Sequence, residues 1–346
     1  MTPINATLQS IRTNHRRSTR RRVALIALML AVVVALFLLT LLLGQSFTPP
    51  QDIFRYLLGE PVPGVAFTVG QLRLPRAILS VLAGASFGLG GVAFQTMLRN
   101  PLASPDIIGI SYAASGAAVF AIAVLSLKGP VVSVLAVTTA LSIALLVYVL
   151  SFRNGVAGAR LILVGIGISA MLESIISYIL SGASAWNLQE AMRWLTGSVN
   201  GVPLDQTLPL FVAFIVFGGL LLINGRDLET LRLGDETAAA LGVSVTRLRM
   251  IVIVSAVGMI SFATAVAGPI AFVAFLSGPI ALRLVKSGGS LLVPSALVGA
   301  ILVLAGDYCG QFLFPSRYPV GVVTGALGAP YLIYLIIRVN RSGGAP

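Results

Sequence analysis

The sequence predicts an all-α, polytopic membrane protein of about ten transmembrane helices, and three observations carry that prediction. Of its 346 residues 57% are hydrophobic and only 10% charged, with a mean hydropathy of +0.98. Its 23 basic and 11 acidic side chains are too few to cover a soluble body of this size. The apolar residues gather into runs of about 20, the length at which a helix crosses a bilayer. Basic residues collect between alternate runs, 17 of the 23 on one side and 6 on the other, so the formal charge of +12 reflects a positive-inside bias and not a nucleic-acid partner.

The runs fall at about 23–43, 76–98, 107–127, 130–150, 161–181, 207–224, 248–267, 269–285, 292–312 and 321–338. The first follows a basic tail, 1–22, and resembles a signal peptide. Its length and the lack of an A-x-A-like cleavage site make it an uncleaved span. Run two carries Gly84-x-x-x-Gly88 and run ten Gly321-x-x-x-Gly325, small-residue seams that let backbones approach, here favoured as packing within one subunit over a dimer seam. Run eight is short and holds Gly268-Pro269 and Gly278-Pro279, so a broken or partly inserted helix is expected. Residues 184–200 are too polar to span and suit a short outer helix, with Trp186 and Trp194 at the interface. Residues 226–247 form the longest and most charged inner loop, in which Asp235 and Glu236 favour a helix start and Gly242 its end. The charge split places this loop, both termini and the C-terminal tail 339–346 in the cytoplasm, with 23–338 as one transmembrane domain.

Other classes fall on the same residues. One cysteine, Cys309, and one histidine, His15, leave no disulfide framework and no Cys/His metal site, and neither residue is expected to have a role. No G-x-x-x-x-G-K-[ST] occurs, so energy from ATP has to come from another subunit. The spans offer no set of side chains suited to bare iron.

Arg73-Leu74-Pro75-Arg76 opens run two, and Arg99-Asn100-Pro101-Leu102-Ala103-Ser104-Pro105-Asp106 closes it, with Gly109 following. Trp194-Leu195-Thr196-Gly197-Ser198, Leu233-Gly234-Asp235, Ala240-Leu241-Gly242-Val243, Ala267-Gly268-Pro269-Ile270-Ala271-Phe272-Val273 and Pro319-Val320-Gly321-Val322-Val323-Thr324 come later. In this order, over 72–338, the pattern resembles the FecCD family of ABC transporter permeases, importers of iron–siderophore complexes, haem and vitamin B12. The resemblance implies a type II importer permease fold in a bacterial cytoplasmic membrane, paired about a central pathway. It implies two ATPase subunits that use ATP and Mg, an extracytoplasmic siderophore-binding protein, and no cofactor on this chain. The wording is closest to catecholate, ferric-enterobactin-type permeases, which implies an unlike second permease subunit. A haem or vitamin B12 permease is the alternative within the family. An ion-coupled secondary transporter working through Glu173 and Asp307 is the remote one.

The resemblance also implies roles. Arg73 and Arg76 are expected to meet acidic residues of the binding protein. Gln311 stands where a third family arginine is expected, with Arg317 nearby as a substitute. Leu233, Gly234, Asp235, Glu236, Ala240, Leu241, Gly242 and Val243 match the element that couples to the ATPase. Gly278-Pro279 and Leu282 stand where relatives carry Pro-His and a first arginine, which leaves the ATPase contact near Arg283 open. Gly165, Ser169, Glu173 and Ser177 recur every four residues on a helix that borders the family's pathway. Each step drifts by about 40°, so only neighbours share a face. A mid-membrane carboxylate faces a cavity or a partner, and burial of Glu173 between helices is the competing reading. Asp307, Asn100, Pro101 and Gly321 are expected to be structural, and Gln95 and Arg99 to fix the turn after run two.

Overall fold

The structure is a computed structural model that describes residues 3–151, 158–286 and 289–341, and the described residues are helices joined by turns, with no strand among them. In chain order the helices are α1 (Pro3–Leu42), α2 (Pro50–Leu57), α3 (Leu74–Leu98), α4 (Ile110–Ala123), α5 (Pro130–Ser151), α6 (Gly158–Ser181) and α7 (Ala185–Leu195). They continue as α8 (Leu208–Ala213), α9 (Gly219–Ile223), α10 (Gly225–Leu231), α11 (Asp235–Ala240), α12 (Val245–Ala267), α13 (Val273–Val285), α14 (Leu292–Phe312) and α15 (Val320–Arg341). Among the described residues, seven helical segments are long and apolar enough to cross a membrane, and Ile110–Ala123, Val273–Val285 and Val320–Leu335 are shorter apolar helices. Each of the ten runs read from the sequence has a counterpart among them.

α3 is the central rod. Its glycine face lets backbone meet backbone: a methyl at Gly84 would lie 2.4 Å from the Gly299 carbonyl oxygen, and one at Gly88 2.1 Å from that of Ser295, both on α14. On another side a methyl at Gly91 would lie 1.9 Å from the Ala274 carbonyl oxygen on α13. The seam of run two is therefore a contact within the chain. So is that of run ten, where a methyl at Gly321 would lie 2.1 Å from the Thr196 carbonyl oxygen. A second fastening joins α3 to α14. The Arg76 Nε and Nη2 donate to Asp307 Oδ2 and Oδ1, each at 2.6 Å, with side chains only 11% and 7% exposed. Charge neutralisation and two parallel bonds make it affordable to hold that carboxylate inside the bundle.

Run eight is broken, as its prolines predict. The chain leaves α12 at Gly268, passes through residues 268–272 without helix, and starts α13 after Phe272, whose φ of +65° is left-handed. Inside α13, Pro279 has no N–H for the carbonyl of Phe275 four residues back. Gln95 supplies it: its Nε2 donates to the Phe275 oxygen at 2.9 Å. A methyl at Gly278 would lie 2.0 Å from Gln95 Oε1, so the glycine that departs from the family pattern makes room for this bond. The Gln95 side chain thus repairs a neighbouring helix, while its carbonyl accepts the Asn100 N–H at 3.0 Å in the turn that ends α3.

Some boundaries differ from expectation. α1 runs unbroken through most of the basic segment 1–22; at 1.5 Å per residue it is about 60 Å long, twice a hydrocarbon core, so its basic half projects beyond it. Eight π-helical residues, Ala66–Arg73, lead into α3, where Pro75 contributes no donor. Run six is divided into α8 and α9 by a π-helical turn at Phe214–Gly218. α15 reaches Arg341, past the predicted end at 338; residues 342–346 of the expected tail lie outside the described residues.

Removing one partner of the Arg76–Asp307 pair strands a buried charge. Arg76→Gln should lower unfolding stability in detergent by roughly 3–5 kcal/mol. The double variant Arg76→Gln/Asp307→Asn should lose less than Arg76→Gln alone, a comparison that chemical denaturation followed by circular dichroism can make.

Candidate functional site

A cavity of about 800 Å³ opens between α4, α6 and the broken segment before α13. Leu102, Ser104 and Asp106 contribute from the turn after α3, and Ser111, Tyr112 and Ser115 from α4. Glu173, Ile176 and Ser177 line it from α6, Pro269 to Phe272 from the break, with Phe275, Leu195 and Leu332 completing it. Such a mixture, aromatic and aliphatic walls with a few convergent polar groups, is the usual make-up of a ligand pocket. Unwound backbone is tolerated at membrane depth where it lines a cavity, which is what Pro269–Ala271 do here.

The four-residue stripe on α6 divides. Glu173 and Ser177 face the cavity, and Glu173 is exposed there, not buried between helices. Gly165 and Ser169 lie one turn round, against the turn that carries Gly109: a methyl at Gly109 would lie 2.9 Å from Ser169 Oγ, while Ser169 itself donates to the Gly165 oxygen at 2.8 Å. The accumulated drift separates the pairs. Of the four residues only Glu173 and Ser177 line the space.

The turn after α3 is built from its own motif. Arg99 caps α3 in the left-handed region, φ 51°. The Leu102 N–H donates to Asn100 Oδ1 at 2.9 Å and the Ala103 N–H to the Asn100 carbonyl at 3.1 Å. Pro101, with no N–H of its own, sits between them. Ser104 caps the following 3-10 turn by accepting from the Asp106 N–H, and Ser111 donates to Asp106 Oδ1. Asp106 therefore anchors the first turn of α4 at the cavity wall.

At the Trp194 end of the bundle three family motifs meet. The Ser198 N–H donates to the Ala267 carbonyl at 2.6 Å and the Gly321 N–H to the Gly197 carbonyl at 3.1 Å. Gly197 and Gly268 have φ of +67° and +70°, and methyls there would lie 2.3 Å from the Pro269 oxygen and 2.5 Å from the Trp194 oxygen. Only glycine suits both conditions. This junction holds the unwound segment that forms the cavity wall.

The arginines expected to dock a partner are placed differently from one another. Arg76 is committed to Asp307. Arg73 caps the C-terminal end of α1, donating to the carbonyls of Leu41 and Leu42 at 2.9 and 3.2 Å, to Thr48 Oγ1 at 3.1 Å and to the Ser46 carbonyl at 2.7 Å. Arg76 is thus an internal fastening, neutralised by a carboxylate 231 positions away. Arg317 is exposed, next to the Phe314–Tyr318 edge contact, and Arg193 at the end of α7 is exposed as well. Arg193 had no motif to mark it.

At the opposite end lies the loop 226–247, folded as α10, α11 and the start of α12. Leu233 and Leu241 are each 64% exposed, and Glu236, Ala240 and Gly242 are exposed beside them, while Gly234 and Val243 are half-buried. Asp235 turns inward. Its Oδ2 accepts from Arg249 Nη2 at 2.7 Å, and its Oδ1 lies 3.5 Å from Arg99 Nη2. Arg283 lies over the rings of Tyr331 and Tyr334, 5.4 and 5.2 Å from their centroids, and so ties α13 to α15. Asp106, Tyr112, Phe272 and Arg249 are site residues that the sequence left unassigned. Asp106 alone carried a local signal, the Ser-Pro-Asp sequence of a capped turn.

These features match known proteins along most of the chain. The model of the FecCD transport family matches residues 30–338. The chain is 36% identical over 302 residues to the ferric enterobactin transport system permease protein FepG of Escherichia coli, covering 86% of this chain and 91% of that one. It is 37% identical over 317 residues to the achromobactin transport system permease protein CbrC of Dickeya dadantii, covering 90% and 91%. A solved structure described as an inward-facing conformation of a metal-chelate type ABC transporter is similar at a TM-score of 0.81 and 26% identity, covering 90% of this chain and 98% of that chain. A helical membrane body whose sequence follows these relatives nearly end to end, this chain belongs to the FecCD transport family.

Proposed function

We propose that this chain is one of two transmembrane subunits of an ATP-driven importer that carries an intact ferric siderophore of the catecholate type across a bacterial cytoplasmic membrane. The observation that carries the proposal is the cavity of about 800 Å³, framed by the family's motifs and within the ~300–1,000 Å³ range of sites for organic ligands. The substrate class follows from similarity to permeases named for ferric enterobactin and achromobactin. An extracytoplasmic binding protein delivers the chelate at the Trp194 end, where Arg317 and Arg193 offer positive charge to acidic residues and speed docking more than they deepen affinity. ATP and Mg are handled by separate ATPase subunits at the Asp235 end. Leu233 and Leu241 present an apolar contact there, and a short helix passes on rigid-body motion. The second permease is an unlike subunit, and the basic split supports a cytoplasmic location for both termini.

Radiolabelled-iron uptake by a strain lacking the gene tests the substrate class. Loss confined to a ferric catecholate, with a ferric hydroxamate and haem still taken up and the defect restored by the wild-type gene, is expected. Lost vitamin B12 uptake with iron uptake intact would move the chain to the cobalamin branch.

Glu173→Trp should fill the cavity and reduce uptake at least about tenfold, while Glu173→Ala retains most of it, since ~1.4 kcal/mol of obstruction already costs a factor of ten. Normal transport by both would remove α6 from the pathway. Leu233→Asp and Leu241→Asp should lower co-purification of the ATPase subunits without changing the amount of permease in the membrane, as read by quantitative immunoblot.

A further inference from the structure

Resting on that reading, we infer that Arg99 and Asp235 form a make-or-break ionic contact that carries the displacement of α11 directly to the cavity turn at 99–106. Asp235 is the first residue of α11 and Arg99 the cap of α3, and they meet across 136 positions of sequence, the separation between their numbers. One oxygen of Asp235 is fixed: Arg249, whose side chain is 14% exposed, donates to it at 2.7 Å and ties α11 to α12. The other is not. Oδ1 is shielded from solvent and has no hydrogen-bond partner, and the Arg99 guanidinium stands 3.5 Å away, near enough for attraction and too far for a good bond. A shift of α11 by a fraction of an ångström toward Arg99 converts this ion pair into a charge-assisted hydrogen bond, and a shift away releases it.

Arg99 is placed to pass that change on. Its backbone is left-handed, and the next seven residues form the hydrogen-bonded turn in which Asn100 holds Leu102 and Ser104 caps the turn of Asp106. Leu102, Ser104 and Asp106 line the cavity, so the chain from Asp235 to the cavity wall contains one ionic contact and one compact turn. Gly234, with φ of +109°, precedes Asp235 in a conformation that glycine favours. With Arg99 at 47% and Asp235 at 33% exposure, the contact is screened by salt, as a reversible link has to be. Arg99 and Asp235 are positioning residues: neither touches cargo or nucleotide.

The test uses the complete importer, with both permeases, the ATPases and the binding protein, in proteoliposomes. It measures the ferric chelate imported per ATP hydrolysed, with the chelate that the uptake panel identifies. Arg99→Gln should leave basal ATPase activity unchanged and lower transport per ATP at least about fivefold, the smallest effect usual for coupling between sites. Arg99→Lys, which keeps the charge, should recover most of it. Raising ionic strength should lower the ratio more steeply for the wild type than for Arg99→Gln. Equal losses in Arg99→Gln and Arg99→Lys would make the role one of capping geometry and overturn the inference, as would wild-type coupling in Arg99→Gln. Should Arg99→Gln not assemble, a wild-type ratio independent of salt would overturn it on its own. A wild-type complex whose ATPase activity does not respond to loaded binding protein would instead sink the transport reading beneath it.

Discussion

Helices in lipid gain little by burying leucine against leucine, because the solvent they leave is equally apolar; close approach of backbones has to supply the attraction. α3 meets this condition with glycine on two sides, against α14 through Gly84 and Gly88 and against α13 through Gly91. Two polar contacts follow. α14 at that distance brings Asp307 to Arg76, and α13 at that distance brings Phe275 to Gln95. A side chain at Gly84 or Gly88 would part α3 from α14 and open the first contact, and one at Gly91 would part α3 from α13 and open the second, to a medium that cannot replace them. The glycine content that makes a poor soluble helix is therefore what builds this one.

The cavity depends on a backbone that α3 holds in place. A straight helix through 245–285 would fill the space now lined by Pro269–Phe272, so the break is what creates the site. Breaking a helix frees carbonyls and amides, and two of the carbonyls are answered locally. Gln95 takes the Phe275 carbonyl left by Pro279, and the Ala267 carbonyl accepts from Ser198. The left-handed Phe272 is held between Phe275, which meets its ring edge-on at 6.4 Å, and the space that Gly328 leaves empty. Sequence motifs that lie far apart along the chain are in this sense one device for supporting an unwound segment.

What the sequence could and could not convey follows from the range of the interactions. Runs of apolar residues are local, and all ten had helical counterparts, including the short eighth run with its two Gly-Pro pairs. The small-residue seams were legible as close contacts, though their partners were not. Arg76 and Asp307 each stood out, the first as a charge at a helix end and the second as an acid inside a span. Nothing in a spacing of 231 positions pairs them, and the docking role expected of Arg76 rests on the family resemblance alone. The α6 stripe shows the opposite limit. Its period was visible, yet the drift per step put Gly165 and Ser169 on one neighbour and Glu173 and Ser177 on the cavity, which only the packed structure resolves. The π-helical turn at Phe214–Gly218 had no signal that its apolar residues could carry.

Two of the arginine–aspartate pairs, Arg76–Asp307 and Arg99–Asp235, stand in mechanical contrast. Arg76–Asp307 lies at the Trp194 end, bidentate and almost wholly shielded; separating it would leave two ions in a medium that solvates neither. That end also carries the backbone bonds joining Ser198 to Ala267 and Gly321 to Gly197, which admit little relative motion. Arg99–Asp235 lies at the other end, longer and with its guanidinium 47% exposed, where water reaches the arginine when the pair separates. Coulomb attraction between like groups thus acts as a staple in one dielectric and as a latch in another. The cavity sits between the two, with one wall fixed to the stapled end through Pro269 and Leu195, and another, Leu102 to Asp106, attached to the latched end. A device that must open one side of a cavity while holding the other needs this asymmetry, and here it comes from burial and not from any difference in residue type.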